Sequence, residues 1–150
     1  MHIHQIPQLR KPVAIMAFNG WNDAGEAATG AISHLMGAYG NQENLIAESE
    51  SEEFYDYQQI RPMVFIDNSK IRQLKWPTTK VFALYTPHLD FDIVLVKGPE
   101  PSFKWQTFTR NLIELFDEFL GINYQEKPPS EMISNLRINS YDESELIIKL

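Results

Sequence analysis

Residues 13–28 read VAIMAFNGWNDAGEAA, and this stretch decides the fold of the chain. Its first six residues form a continuous apolar run, which is typical of a strand that is buried on both faces. Asn19 and Gly20 follow as a turn, and small apolar residues then recur at helical spacing. Asp23 is well placed as the N-cap of that helix, with Glu26 three residues later completing a capping-box pattern. The stretch therefore predicts a strand, a tight turn and a helix.

A second strand-to-helix unit is predicted further along the chain. Residues 92–97 (DIVLVK) are nearly all apolar at their centre, and residues 98–102 (GPEPS) break the chain before a helix that runs to Gly121. The inner face of this helix is predicted to hold Trp105, Phe108, Leu112, Leu115, Phe116 and Phe119. Two buried strands that each feed a helix imply a mostly parallel sheet, with residues 13–18 and 92–97 as interior strands.

The middle of the chain predicts a β-hairpin. Residues 62–66 and 71–76 flank the turn-forming residues 67–70 (DNSK). Residues 45–47 and 80–85 are predicted as further strands. We therefore expect an α/β fold, a mostly parallel sheet with an inserted β-hairpin and flanking helices.

The C-terminal part differs in character. Residues 122–150 contain two adjacent prolines, Pro128 and Pro129, and only scattered apolar positions. We expect residues 1–121 to form the α/β domain and residues 122–150 to form a divergent tail.

Composition restricts the class of partner. The chain of 150 residues carries a formal net charge of −7, which disfavours nucleic acid and an anionic membrane surface. It has no cysteine, so disulfides, thiolate metal sites and cysteine nucleophiles are excluded. No apolar run resembles a signal peptide or a membrane span, and a cytoplasmic location is expected.

The two predicted strand-to-helix turns are the first candidate site, because α/β proteins usually bind ligands at such turns. A carboxylate at Asp23 would repel a phosphate from the helix N-terminus. Glu100 in the second turn could form an acid/base pair with Asp23, but no positioned nucleophile or metal-ligand set accompanies them. Structural capping is favoured at both turns, and Trp21 is expected either to pack or to line a contact surface. No catalytic residue, metal site or cofactor is predicted.

An aromatic segment is the second candidate site. Residues 54–58 (FYDYQ) precede Arg61 and Pro62. Asp56 could pair with Arg61 while the rings fill the edge of the core, or exposed Tyr and Arg side chains could anchor a protein interface. Both interpretations remain open from the sequence.

Four segments carry a family resemblance: residues 17–28 (AFNGWNDAGEAA), residues 53–58 (EFYDYQ) with the following Arg-Pro, residues 76–78 (WPT), and residues 98–102 (GPEPS) with Trp105. Together they resemble the actinobacterial branch of the proteasome assembly chaperone family, relatives of the second eukaryotic chaperone. The resemblance covers about residues 8–121. It implies a core like that of purine nucleoside phosphorylases and peptidyl hydrolases without their catalytic residues, and binding of proteasome α-type subunits or related assemblies.

The chain departs from that family in two ways. Members of this branch are about twice as long, so the fold is expected to be incomplete and the second helix to leave an apolar patch that promotes homo-oligomers. Eukaryotic and archaeal relatives often end in a hydrophobic residue, a tyrosine and any residue, whereas this chain ends in Ile148, Lys149 and Leu150. Docking by the C-terminal tail is therefore not carried over.

We expect a non-enzymatic protein-binding factor that resembles proteasome assembly chaperones, with a protein partner that could be a proteasome subunit. The alternatives are a hydrolase or nucleoside-phosphorylase-like enzyme that uses Asp23 and Glu100 in the strand-end cleft, or a truncated remnant with little activity. The candidate binding residues are Asn19, Trp21, Asn22, Asp23, Tyr55, Asp56, Tyr57, Arg61 and Glu100.

Overall fold

The computed structural model describes residues 1–21, 23–39, 43–66 and 72–122. After two initial strands, helices and strands alternate as far as residue 66, and a further helix follows the last described strand. The strands are β1 (His2–Ile3), β2 (Val13–Asn19), β3 (Glu43–Glu48), β4 (Met63–Ile66), β5 (Arg72–Lys75), β6 (Lys80–Leu84) and β7 (Ile93–Pro99). The helices are α1 (Ala27–Ala38), α2 (Ser51–Phe54) and α3 (Trp105–Glu114), which continues as a π-helical turn, Leu115–Phe119.

Five of these strands form the main sheet, in the order β1-β3-β6-β7-β2. β2 runs parallel to β7, while β6 with β7, β3 with β6 and β1 with β3 are antiparallel. The α/β class, the inserted hairpin and the flanking helices are confirmed, and the sheet is mixed where a mostly parallel one was expected. The physical reason is that β6 reaches β7 through a short loop without a helix, and so short a connection permits only antiparallel pairing.

β7 is an interior strand, as predicted, but β2 lies at an edge of the described sheet. The prediction that residues 13–18 form an interior strand is therefore wrong for this sheet. Val13, Ala14 and Ala17 are nevertheless buried. A continuous apolar run reports that both faces of a strand are covered, and it carries no information about which strand pairs beside it.

The two long helices cover opposite faces of the sheet. Ile32 of α1 is buried together with Leu95 of β7 on one face. Phe108 and Leu112 of α3 are buried on the other face with Val94 and other alternate residues of the strands. The alternation of side chains along β7 therefore supplies both cores.

The inner face of α3 and its π-helical turn is confirmed in part. Four of the six predicted residues are buried, namely Phe108, Leu112, Leu115 and Phe116. Trp105 and Phe119 remain 47% and 38% exposed. An apolar patch thus lies on this helix, as the sequence predicted.

The predicted hairpin is confirmed as a two-stranded antiparallel ribbon, β4–β5, separate from the main sheet. All of its described residues are exposed. The turn residues 67–71 and the predicted tail, residues 123–150, lie outside the described residues. The boundary between domain and tail therefore stays a prediction. Within the described part of the chain, no helix has both the length and the apolar character to cross a bilayer.

Candidate functional site

The two strand-to-helix turns lie side by side at the end of the sheet where β2 and β7 finish. Asn19 ends β2 opposite Pro99 of β7, and the carbonyl oxygen of Asn19 accepts a hydrogen bond of 3.1 Å from the backbone N–H of Glu100. A Cβ atom added to Gly20 would come within 2.8 Å of the Glu100 carboxyl carbon. Glycine at position 20 therefore allows the Glu100 side chain to lie directly against the first turn.

Asp23 caps the N-terminus of α1. Its Oδ1 accepts hydrogen bonds from the backbone N–H groups of Ala28 at 2.9 Å and Thr29 at 3.3 Å, and the Thr29 hydroxyl donates to Oδ2. Asn19 Nδ2 donates to the same hydroxyl at 3.3 Å, which ties the end of β2 to the start of the helix. Both carboxylate oxygens of Asp23 are thus engaged with α1, an arrangement that suits a cap better than a proton-transferring pair with Glu100.

The detail of this cap differs from the predicted capping box. A 3₁₀ turn, Ala24–Glu26, lies between Asp23 and α1, and Glu26 itself is the N-cap residue without a side-chain capping bond. Gly25 and Glu26 both have positive φ angles, 64° and 56°. This left-handed pair reverses the chain, so that Asp23 reaches amides five and six residues ahead of it. Sequence spacing alone does not reveal such a reversal.

Trp21 stands in solvent on the first turn, with 97% of its surface exposed. Its backbone is held in place nonetheless, because Asp23 N–H donates to the Gly20 carbonyl at 3.2 Å and Asp23 is anchored to α1. The structure therefore presents an indole ring on a hydrogen-bonded turn. Asn22, the other predicted residue of this turn, lies outside the described residues.

The loop after β7 connects this turn with the aromatic segment. The backbone N–H groups of Ser102 and Phe103 donate to the Phe54 carbonyl at 2.7 and 3.2 Å, and Asp56 N–H donates to Ser102 Oγ at 3.1 Å. Glu100, two residues earlier, faces Gly20. Three segments that are far apart in the sequence therefore meet around residues 100–103.

Tyr55 belongs to the core, which corrects its prediction as a surface anchor. It is only 3% exposed, and its hydroxyl lies 2.9 Å from Ser49 Oγ and donates to Thr79 Oγ1 at 2.7 Å. The backbone N–H of Thr79 also donates to this hydroxyl, at 3.0 Å. Burial raises the pKa of the Tyr55 phenol above its usual value of 10.0. The aromatic composition of this segment does not show that Phe54 and Tyr55 are buried while Asp56 and Tyr57 are only partly buried.

Tyr57 lies at the surface beside a residue that the sequence-based list of candidates missed. Its ring is half-buried and lies 4.9 Å, centroid to centroid, from Trp76, whose own ring remains about half exposed. The Tyr57 hydroxyl donates to Ser51 Oγ at 3.1 Å, which in turn donates to the Pro77 carbonyl at 2.6 Å. The signal for Trp76 was present in the sequence, as an aromatic residue in one of the segments with family resemblance.

Asp56 and Arg61 do not form an ion pair among the described residues. Asp56 Oδ1 instead accepts a hydrogen bond of 2.8 Å from Gln58 N–H, within its own turn. Arg61 is exposed at the start of the ribbon. Of the two interpretations that the sequence left open, pairing of these two residues is therefore not observed.

Nor do three or more His, Asp or Glu side chains come together as a metal-binding group anywhere in the described ranges. His4 Nε2 lies 3.3 Å from Glu48 Oε1, and the rings of His2 and His4 pack edge to face. This small cluster fastens β1 to β3.

A match to a family model shows to which protein family the chain belongs. The model described as PAC2 family matches residues 17–120, which include both strand-end turns, the aromatic segment and the ribbon. The chain belongs to the PAC2 family. The resemblance predicted from four short segments is thereby confirmed.

Three solved structures of similar proteins come from actinobacteria. A proteasome-assembly chaperone homologue from Mycobacterium tuberculosis is 37% identical, with a TM-score of 0.63 over 70% of this chain and 44% of that one. A PAC2 family protein from Streptomyces avermitilis is 29% identical, with a TM-score of 0.74 over 91% and 66%. A Corynebacterium glutamicum protein of unknown function is 26% identical, with a TM-score of 0.60 over 77% and 41%.

This PAC2 chain thus spans between 41% and 66% of the length of these relatives. No curated protein is significantly similar to it in sequence. The connection of the PAC2 fold with proteasome assembly comes from the name of the Mycobacterium tuberculosis relative.

Proposed function

We propose that this PAC2 protein is a non-enzymatic, chaperone-like factor that binds a protein partner at the end of the sheet where β2 and β7 finish. The observation that carries the proposal is Trp21, 97% exposed on a turn that is hydrogen-bonded to α1 and to the loop after β7. Tryptophan is among the side chains that contribute most to binding energy in protein interfaces. A backbone already held in place loses little further conformational freedom on binding, which favours affinity.

The aromatic segment, residues 54–58 with Arg61, also supports a protein partner. Tyr57 and Trp76 form an aromatic pair at the surface, and Arg61 follows along the same chain segment. The loop that contacts Gly20 through Glu100 contacts the aromatic segment through Ser102. Aromatic side chains and arginine are enriched in interfaces relative to other surfaces.

The geometry at Asp23 favours binding over the enzymatic alternative. An acid/base pair needs a carboxylate that is available to a substrate, whereas both oxygens of Asp23 accept hydrogen bonds from α1. The cytoplasmic location and the indifference to nucleic acid remain predictions from composition. The name of the Mycobacterium tuberculosis relative makes proteasome subunits the first partner to test. The family resemblance of the sequence points to subunits of the α type.

The test is a binding titration of this protein with purified proteasome α-type subunits, in which binding is measured by biolayer interferometry. We expect saturable binding, and Trp21→Ala should weaken it at least about tenfold, as loss of a central interface residue does. Ile6→Ala is the control, because Ile6 is an exposed apolar residue outside the proposed binding site. Equal affinities of Trp21→Ala and the unaltered protein would contradict the proposed site, and absence of binding would contradict the proposed partner.

A further inference from the structure

The β4–β5 ribbon is apolar on both of its faces. Because side chains alternate along a strand, Met63 and Phe65 lie on one face and Val64 and Ile66 on the other. These four side chains are between 42% and 66% exposed, and Leu74, opposite Val64, is 51% exposed. A two-stranded ribbon is marginally stable alone in water, and surfaces of this apolar character mark interaction sites. The ribbon therefore needs a cover on at least one face.

The charge of the ribbon indicates what kind of surface would cover it. Residues 61–66 and 72–76 contain Arg61, Arg72 and Lys75 and no acidic residue, in a chain whose net charge is −7. Lys75 Nζ lies 4.5 Å above the centre of the Phe65 ring, so positive charge is located on the apolar face itself. A complementary surface is apolar and acidic.

Such a surface lies on α3 of the same chain. Trp105, Ile113 and Phe119 are exposed there by 47%, 37% and 38%. Trp105 and Ile113 line an open groove of about 520 Å³ together with Gln106, Thr109 and Arg110.

The same helical segment is acidic. Glu114, Asp117 and Glu118 follow the groove, and with Arg110 they give residues 105–119 a formal charge of −2, three carboxylates against one guanidinium. Glu114 and Glu118 are exposed and one helical turn apart, and hence lie near each other. The α3 face thus offers the apolar area and the opposite charge that the ribbon lacks.

We propose that the β4–β5 ribbon of one copy docks on the α3 face of a second copy of this chain. Each copy then supplies a ribbon and an α3 face, so that a reciprocal pair buries both patches in each molecule, and two-fold pairs are the commonest form of homo-oligomer. The contact does not involve Trp21, so this proposal stands independently of the partner proposed above.

The test is the oligomeric state measured by sedimentation velocity between 1 and 100 µM, with charge reversals on each side. The protein should associate, whereas the double variant Arg72→Glu with Lys75→Glu should raise the dissociation constant at least tenfold. The double variant Glu114→Lys with Glu118→Lys should do the same. This second variant reduces the magnitude of the net charge, from −7 to −3, so general repulsion between copies cannot explain its dissociation.

Mixing the two double variants in equal amounts provides the decisive arm. In a mixed pair, each ribbon again faces an α3 surface of opposite charge, and we expect association to be restored. Restoration also shows that both variants are folded. A protein that stays monomeric at 100 µM, a double variant that still associates, or a mixture that remains monomeric overturns the proposal. Lys11→Glu, an exposed charge outside both surfaces, should leave association unchanged.

Discussion

Arg10 and Asp92 form a two-bond ion pair that fastens the segment before β2 to the start of β7. Arg10 Nη2 lies 2.7 Å from Asp92 Oδ1, and Nε lies 3.2 Å from Oδ2. The backbone N–H of Arg10 adds a bond of 2.9 Å to Oδ2, and that of Thr86 a bond of 3.0 Å to Oδ1. The backbone of Asp92 bonds to Arg10 and Val13 as well. The pair therefore sets the register at which the parallel strands β2 and β7 begin.

The lowered pKa of Asp92 predicts that the folded protein loses stability in acid. The hydrogen bonds from Arg10, together with those from backbone amides, lower the pKa of Asp92 from 3.8 to about 2, and the side chain is only 1% exposed. Because the folded-state pKa lies below the unfolded one, the stabilisation is complete above about pH 5 and is lost as the pH falls towards 2. We expect Asp92→Asn to lower the free energy of unfolding by up to about 2 kcal/mol at pH 7 and to flatten its decline between pH 5 and pH 3.

Urea unfolding at a series of pH values measures this effect. The matched control is Asp90→Asn, because Asp90 is exposed and its Oδ2 lies 3.5 Å from Nζ of the exposed Lys11. Such surface pairs contribute about 0–1 kcal/mol, so the control should keep the acid-dependent decline. Parallel pH curves for Asp92→Asn and the unaltered protein would show that the pair does not contribute as described.

Asp23→Ala should destabilise the protein by about 1 kcal/mol, the usual cost of losing a helix-capping side chain. The reason is the loss of two backbone hydrogen bonds and one hydroxyl bond at the start of α1. Thermal and urea unfolding measure the change. Glu26→Ala is the control, since the Glu26 side chain makes no capping bond and its removal should change the unfolding free energy by less than about 0.5 kcal/mol. An unchanged urea midpoint for Asp23→Ala would refute the capping role.

Gly98→Ala should destabilise the sheet by about 2 kcal/mol or more, in the upper part of the range for overpacked cores. A Cβ atom at position 98 would lie 2.4 Å from Thr79 Cα, an atom of the neighbouring strand segment that cannot move aside. Gly30→Ala is the opposite case, because nothing lies within 4 Å of its added Cβ in α1. Alanine is there expected to stabilise the helix by about 0.5–1 kcal/mol. Opposite shifts in the denaturation midpoint check both expectations together.

Tyr55→Phe should lower the free energy of unfolding by about 1–3 kcal/mol, because it removes three hydrogen bonds from a buried network at about 1 kcal/mol each. The partners of the phenol in this network are Ser49 Oγ and the hydroxyl and backbone N–H of Thr79. Tyr57→Phe removes one bond, to Ser51 Oγ, at a half-buried position and should cost less than about 1 kcal/mol. Similar losses for the two variants would mean that the buried network contributes little.

The candidate site was predictable in parts. The sequence placed Trp21 and Asp23 correctly on a turn between a strand and a helix, because the apolar run and the alanine-rich helix on either side are local signals. It did not separate Tyr55 from Tyr57, of which the first is buried and the second reaches the surface. The two tyrosines differ in their distant partners, because the Tyr55 hydroxyl donates to Thr79 whereas the Tyr57 ring packs on Trp76.

The sequence by itself determined the local elements of this protein, such as β2, α1 and the β4–β5 ribbon, together with its PAC2 membership. Their signals arise from neighbours within a few residues, through periodicity, caps and turn formers. Only the tertiary structure decided that β2 takes an edge of the described sheet, that β6 runs antiparallel to β7, and that Glu100 lies against Gly20. These features join residues that lie far apart in the sequence, and no local pattern encodes which distant strands pair or which turns meet.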